Sequence, residues 1–65
     1  MTREVVEIEC TVVHETDNAI RIDYQGELIW IPLSQVEEIH RRNKAVGDTD
    51  VVVMTRWIAS KKGLL

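Results

Sequence analysis

Cys10 is the only cysteine in this 65-residue chain, and it limits how the fold can be stabilised. A single thiol forms no internal disulfide and cannot supply a cysteine-rich zinc site. A chain of this length buries only about 60% of the surface that its unfolded form exposes, so its stability is marginal without a further device. Oligomerisation is the device that remains. We therefore expect a homo-oligomer, most simply a dimer.

The N-terminal sequence and the hydropathy favour a cytoplasmic protein. Met1 leads directly into the charged pair Arg3 and Glu4, with no signal peptide. No apolar segment approaches the roughly 20 residues needed to cross a membrane. An unpaired cysteine suits a reducing compartment. We expect one domain, residues 1–65, in a reducing cytoplasm and without a membrane partner.

Alternating apolar and polar residues predict short antiparallel strands. Val5–Val13 and Ala19–Tyr24 place apolar side chains at every second position, as strands with one buried face do. Gln25-Gly26 is a hairpin signal, because glycine adopts a positive φ at little cost. The third strand, Glu27–Ile31, should end at Pro32, which lacks a backbone donor.

The remainder predicts a turn, further strands and a terminal helix. Ser34 should cap a single turn, followed by a short strand to about Arg42, an exposed loop over Asn43–Asp50 and a last strand over Val51–Met54. Thr55 then has the character of a helix N-cap.

The helix has a matching end. Residues 56–62 can form two turns, Gly63 stands where a left-handed residue ends a helix, and Leu64 is the apolar partner of that ending. The architecture predicted is mainly β: a small antiparallel SH3-like or OB-like barrel of four or five strands with a short C-terminal helix.

The third strand is apolar without alternation, so both of its faces need cover. We predict that Leu28 and Trp30 face the core. Ile29 and Ile31 would then lie on the opposite face, covered either by the helix or by a second subunit. Together with Val52 they form the candidate subunit interface. Trp57, at the start of a helix that closes the barrel, is also predicted to pack in the core.

Charge is unevenly distributed. Lys and Arg number 8 against 11 Asp and Glu, a net charge of −3. Residues 1–39 hold two bases and nine acids (net −7), whereas residues 40–65 hold six bases and two acids (net +4). The bases could surround Trp57 and bind a nucleotide, a short single strand or an acidic protein. This candidate site comprises Trp57, Arg41, Arg42, Lys44, Arg56, Lys61 and Lys62. The acidic first strand offers the opposite polarity, and both faces could instead be solvated surface.

Catalytic patterns are missing from the sequence. His14 and His40 have no metal-ligand spacing, and Ser34 lacks a nucleophile-elbow context. Three glycines cannot form a phosphate-cradling loop of the usual kind. We predict a non-enzymatic protein without a metal or cofactor.

Two segments carry a resemblance. The segment WIPLSQ (residues 30–35), followed by WIASKKGLL (residues 57–65), resembles small, mostly uncharacterised proteins of tailed bacteriophages and prophages with W-I-P-x-S-Q and W-[I/L]-A-x-K-K-G-L motifs. Leu33 stands where those proteins often have lysine, which weakens the expectation of a basic contact there.

The resemblance implies a phage-encoded accessory protein in the host bacterial cytoplasm. Together with the small size, the acidic net charge and the lack of catalytic groups, it suggests a protein that acts by binding. The leading expectation is an inhibitor of a bacterial host factor or an antiviral defence component, with a host protein or a nucleotide as its partner. The alternative is a single-stranded nucleic-acid-binding module that serves phage replication or recombination.

Overall fold

The computed structural model describes residues 4–42 and 49–65. Within them the elements are β1 (Val5–Glu15), β2 (Ala19–Tyr24), β3 (Glu27–Pro32), a 3₁₀ turn (Leu33–Gln35), β4 (Val36–His40), β5 (Asp50–Thr55) and α1 (Arg56–Lys61). The strands form one antiparallel sheet in the order β3-β2-β1-β5-β4. The predicted fold class, a small barrel-like β domain with a short C-terminal helix, is confirmed. Most of the predicted Asn43–Asp50 loop lies outside the described residues.

The long strand β1 belongs to both halves of the sheet. Its first part, Val5 to Cys10, pairs with β5, and its second part, from Thr11 onward, pairs with β2. Asp50 stabilises this change of partner, because its buried carboxylate accepts the backbone N–H of Val12 at 3.1 Å and that of Arg42 at 3.0 Å. One side chain therefore satisfies backbone donors that the strand ladder leaves over.

The core lies on the side of the sheet against which α1 packs. Its buried members come from β1, β2, β3, β5, the helix and the residue after Gly63: Ile8, Cys10, Ile20, Ile22, Ile31, Val52, Met54, Ile58, Ala59 and Leu64. The predicted inward faces of β1 and β2 are confirmed, with Val6, Val12 and Tyr24 packing at the margin. One chain thus covers one side of every strand.

The predicted orientation of β3 is wrong. Ile31 is fully buried and Ile29 packs against the core, whereas Leu28 and Trp30 are exposed. The turn at Gln25-Gly26 is a two-residue hairpin with φ values of 51° and 88°, which pairs Tyr24 with Glu27. That register places Ile29 opposite Ile22 on the inner face. Residues that face each other on neighbouring strands lie on the same side of the sheet. The hairpin register therefore places Ile29 and Ile31 inside and Leu28 and Trp30 outside, the reverse of the prediction.

The candidate interface needs the same correction. Ile31 and Val52 are fully buried within one chain, so a second copy cannot reach them while the core is intact. The chain covers this face of β3 itself, and only Ile29 of the three is partly accessible. The expectation of an oligomer stays a prediction, but it requires another surface.

The turn and strand predicted after Pro32 are present, with one change. The 3₁₀ turn covers Leu33–Gln35 with Pro32 at its N-cap position, so Ser34 lies inside this turn and not at the position before it. β4 carries an irregularity between Val36 and Glu38. This bulge lets Val36 and Ile39, three residues apart, both pack against the core.

The helix α1 has the ends that its sequence predicts. The Thr55 side chain accepts the Ile58 N–H at 3.3 Å, which confirms the N-cap. Gly63 has a φ of 76°. Its N–H bonds to the Ser60 carbonyl and that of Leu64 to the Ala59 carbonyl, the pair of bonds that defines a Schellman ending. Leu64 is buried, which fixes the helix to the sheet.

Candidate functional site: two exposed tryptophans

The five predicted bases that the structure describes do not form one cluster. Arg41 and Arg42 follow β4, whose last residue, His40, pairs with Val51 near the start of β5. Trp57 and its neighbours follow the other end of β5. The length of that strand separates the two groups by about 17 Å at roughly 3.4 Å a residue. Arg41 instead forms an ion pair with Glu15. Lys44 lies outside the described residues.

Trp57 is exposed, contrary to the expectation that it packs in the core. Its side chain is 60% accessible. The buried side of α1 is formed by Ile58 and Ala59, so the helix presents Trp57 outward. Lys61, one turn later, places its Nζ 4.7 Å from the centre of the ring, within cation–π range. Of the predicted bases, Arg56 and Lys61 therefore stay beside Trp57, and exposed Lys62 adjoins them in sequence.

An open groove of about 960 Å³ runs beside this helix. We call it the Trp57 groove, and its lining residues are Glu4, Gln35, Thr55, Arg56, Trp57, Ser60 and Lys61. Arg56 reaches to within 3.9 Å of the Glu4 carboxylate. Two cations against one acid leave the lining with a net positive charge. Polar walls and one large aromatic face suit a ligand with both acidic and apolar groups.

A side-chain hydrogen bond joins two of the residues that line the groove. The Thr55 hydroxyl donates to Gln35 Oε1 at 2.8 Å while it caps α1. Gln35 comes from the 3₁₀ turn and Thr55 from the end of β5, so this bond ties the 3₁₀ turn to the residue that caps α1. The spacing of Trp57 and Lys61 was visible in the sequence, because i and i+4 meet on a helix. The contributions of Gln35 and Glu4 depend on long-range strand pairing and left no sequence signal.

The second tryptophan lies on the outer face of the first three strands. Trp30 is 41% exposed and Leu28 is 53% exposed. The Arg21 guanidinium lies 5.6 Å from the Trp30 ring centre, and His14 meets the ring edge-on at 6.1 Å. Together with Val13, also exposed, these residues form what we call the Trp30 face. It is more apolar than the Trp57 groove.

The other candidate reactive side chains, a histidine and the thiol, lie beside carboxylates of the fold. His40 lies 3.0 Å from Glu38. Burial and, to a smaller extent, the neighbouring Asp50 carboxylate together raise the pKa of the Cys10 thiol from its ordinary 9.0 to about 11. Across residues 4–42 and 49–65, no three His, Cys, Asp or Glu side chains come together as a metal site.

No protein family, curated protein or solved structure matches this chain. In the described part of the chain, α1 is far too short to span a membrane, and no other helix is long and apolar enough to do so. The functional argument therefore rests on the two tryptophan surfaces.

Proposed function

We propose that this protein is a non-catalytic binding module that holds an acidic segment of another protein in the Trp57 groove. The observation that carries the proposal is the exposure of Trp57 beside a groove whose cations are Arg56 and Lys61. Tryptophan and arginine are the residues that most often dominate the binding energy of protein interfaces.

The structure of the groove supports a preorganised site. Thr55 and Gln35 hold its base through a 2.8 Å hydrogen bond, and the Schellman ending fixes the helix that carries Trp57. A rigid site loses little conformational freedom on binding, so more of the contact energy appears as affinity. The cationic lining favours a partner with carboxylates flanking an apolar side chain, which would pack on the Trp57 ring.

The resemblance to tailed-phage proteins extends the proposal to a class of partner. A phage accessory protein without catalytic groups acts on its host by occupying a surface, and we propose a bacterial host protein or an antiviral defence component as its target. In the WIASKKGLL segment, the residues at 58, 59, 63 and 64 have evident roles in the fold. Trp57 and Lys61 do not, which fits a role in binding.

A capture experiment with paired variants tests the proposal. Immobilised wild-type protein, Trp57→Ala and Trp30→Ala would each be exposed to nuclease-treated bacterial lysate. We expect a protein that wild type and Trp30→Ala retain and that Trp57→Ala loses. Lys61→Glu should weaken retention of the same protein, because it reverses a cation of the groove.

Two results contradict this proposal. Equal retention by Trp57→Ala and wild type would show that the groove is not the binding site. Capture of nucleic acid alone from untreated lysate would favour the second candidate function, a single-strand nucleic-acid module.

One observation favours that second candidate: an exposed tryptophan with an adjacent lysine is a platform on which a base can stack. The separation of Arg41 and Arg42 from it removes part of the basic track that a single strand would follow. Salt separates the two functions. For a single strand, the logarithm of the binding constant should fall linearly with the logarithm of the salt concentration, with a slope of about −0.7 per phosphate contact. A protein partner held by buried side chains should stay bound at moderate salt.

A further inference from the structure

The two edges of the sheet differ in how they are protected. β4 ends the sheet on one side and carries a bulge together with the exposed acids Glu37 and Glu38. β3 ends it on the other side and presents exposed Leu28 and Trp30. Bulges and charges prevent an edge strand from pairing with another chain. Between its end residues, Glu27 and Pro32, β3 has no such protection.

The hairpin determines which backbone groups of β3 face outward. A two-residue turn makes Tyr24 and Glu27 a hydrogen-bonded pair, and such pairs then alternate along the strands. Leu28 and Trp30 occupy the intervening positions, so their N–H and C=O groups point away from β2. Leu33 follows the same alternation, since its N–H donates back to Asn18 at 2.8 Å.

We propose that β3 pairs with β3 of a second copy of this chain, antiparallel and edge to edge, to form a homodimer with one continuous sheet. The register that pairs Leu28 with Trp30 of the other copy uses all the outward groups of both residues. Each of the two symmetry-related pairs then exchanges both of its N–H···O bonds. Ile29 meets its own equivalent on the twofold axis.

Neighbouring registers are less favourable. A shift that pairs Trp30 with Trp30 sets Leu28 opposite Pro32, which has no N–H to donate. A shift that pairs Leu28 with Leu28 moves Trp30 opposite Gly26, beyond the strand. Pro32 thus limits pairing on one side and the hairpin limits it on the other, which leaves the Leu28–Trp30 register.

Side-chain packing also favours a second copy, and the charges near the edge do not oppose it. In this register Leu28 of one chain lies directly opposite Trp30 of the other on the outer face, so two exposed apolar residues cover each other. The Glu27 side chains of the two copies lie about four residues apart along the strands, roughly 13 Å. At physiological salt that repulsion is largely screened. The partly accessible Ile29 gains cover on the inner face.

Molar mass measured by sedimentation tests the dimer. An edge-to-edge contact is small, so association should be weak and visible as a rise from 7.5 kDa toward twice that value at high micromolar concentration. Leu28→Pro removes only an outward N–H and leaves the pairing with β2 intact. We expect it to weaken dimerisation at least about tenfold, because each dimer loses two hydrogen bonds. Leu28→Lys, a charge on the edge, should act in the same direction and serves as the second variant.

Val13→Lys is the matched control. Val13 is 48% exposed on the same outer face, but it belongs to β1, which lies between β2 and β5 and not at an edge of the sheet. Edge pairing predicts an unchanged dimer for this variant. Loss of the dimer in Val13→Lys would instead show that the outer faces stack, and it would overturn the proposal.

Hydrogen exchange of the individual amides provides an independent readout. The Leu28 and Trp30 amides should become protected as concentration rises, whereas the inward-bonded Ile29 amide should be protected throughout. A 7.5 kDa mass with freely exchanging Leu28 and Trp30 amides at every concentration would show that β3 does not pair with itself. Protection that appears only with an added foreign peptide would assign the edge to another partner and overturn the dimer.

Discussion

The dipeptide Trp-Ile occurs twice, once in a strand and once in a helix. In both places the tryptophan is exposed and the isoleucine is buried. In β3, Trp30 is outside and Ile31 is fully buried; in α1, Trp57 is outside and Ile58 is buried. A strand sends successive side chains to opposite faces, whereas a helix separates them by about 100°. The smaller residue enters the core in each case. Exposure of both tryptophans therefore follows from the backbone that carries them and not from their hydrophobicity.

The two surfaces differ in what surrounds the ring. Trp30 lies in the edge strand β3, with Arg21 5.6 Å from its ring centre. Trp57 lies over a groove with a capped helix behind it, and its cation is Lys61 at 4.7 Å. The first arrangement suits pairing with a strand, and the second suits a ligand held by side chains. An exposed tryptophan thus indicates a contact surface without specifying its kind.

Replacing the two residues of the first dipeptide should give the largest difference. We expect Ile31→Ala to lower the free energy of unfolding by about 3 kcal/mol, because it leaves a cavity in the core. Trp30→Ala should cost less than about 1 kcal/mol, because much of its ring is already in water. Urea denaturation followed by circular dichroism at low concentration measures both. Equal losses would mean that Trp30 belongs to the core after all.

A pH titration tests how strongly burial in the core affects the Cys10 thiol. The Cys10 thiol has its pKa raised by burial to about 11, above the ordinary 9.0. The unfolded chain therefore releases this proton first as pH rises, so the stabilisation is present below pH 9 and is lost between pH 9 and 11. We expect a loss of about 2 kcal/mol in the free energy of unfolding.

Cys10→Val provides the control for that titration. It keeps a small apolar side chain at the position and removes the titrating group, so the difference between the two pH profiles isolates the thiol. Parallel profiles for wild type and Cys10→Val from pH 9 to 11 would contradict the prediction.

Thr55 caps the helix that carries Trp57 and Ile58. Its hydroxyl should contribute less to the free energy of unfolding than the buried side chain of Ile31 does. Thr55→Ala removes the cap of α1 and the bond to Gln35, and we expect a loss of about 1.5 kcal/mol. Thr55→Ser keeps the hydroxyl and should recover most of it. Thermal unfolding by calorimetry compares the three proteins. If serine fails to recover stability, the methyl group of Thr55, not its hydrogen bonds, holds the helix.

The smallest effect is expected from the cation on Trp57. Lys61→Ala removes an exposed cation–π contact, so the free energy of unfolding should fall by less than about 0.5 kcal/mol. The Trp57 emission should change while the core stays intact. Such a variant separates binding from stability. A loss comparable with that of Ile31→Ala would mean that the groove side of α1 is part of the core.

Much of this fold could be predicted from local patterns. Alternation identified β1 and β2, Gln25-Gly26 identified the hairpin, and Thr55 with Gly63 marked both ends of the helix. Each signal acts between residues that are near in sequence. Local rules therefore suffice where the structure itself is local.

The errors came from relationships between elements. The inward face of β3 follows from the hairpin register, since Ile22 faces Ile29 across a two-residue turn. The Gln25-Gly26 hairpin signal was present in the sequence. The prediction nevertheless placed Trp30 in the core because it relied on the hydrophobicity of tryptophan. The site residues Arg41 and Arg42 could not be placed relative to Trp57 without the pairing of β4 with β5. The order of strands in a sheet leaves no local signal in the sequence. The predicted cluster of bases therefore lies in two separate groups, one after β4 and one on α1.

The change of partner along β1 has a consequence for how the chain reaches this structure. The pairing of β1 with β2 joins neighbouring segments, whereas Val5 and Thr55 are fifty positions apart (55 minus 5) when they pair. Closing so long a segment loses chain entropy before any contact compensates for it, and topologies rich in such contacts fold slowly. We expect the hairpins to assemble early and β5 to dock last. The Asp50 carboxylate, which bonds to Val12 only once β5 has arrived, then secures the final step.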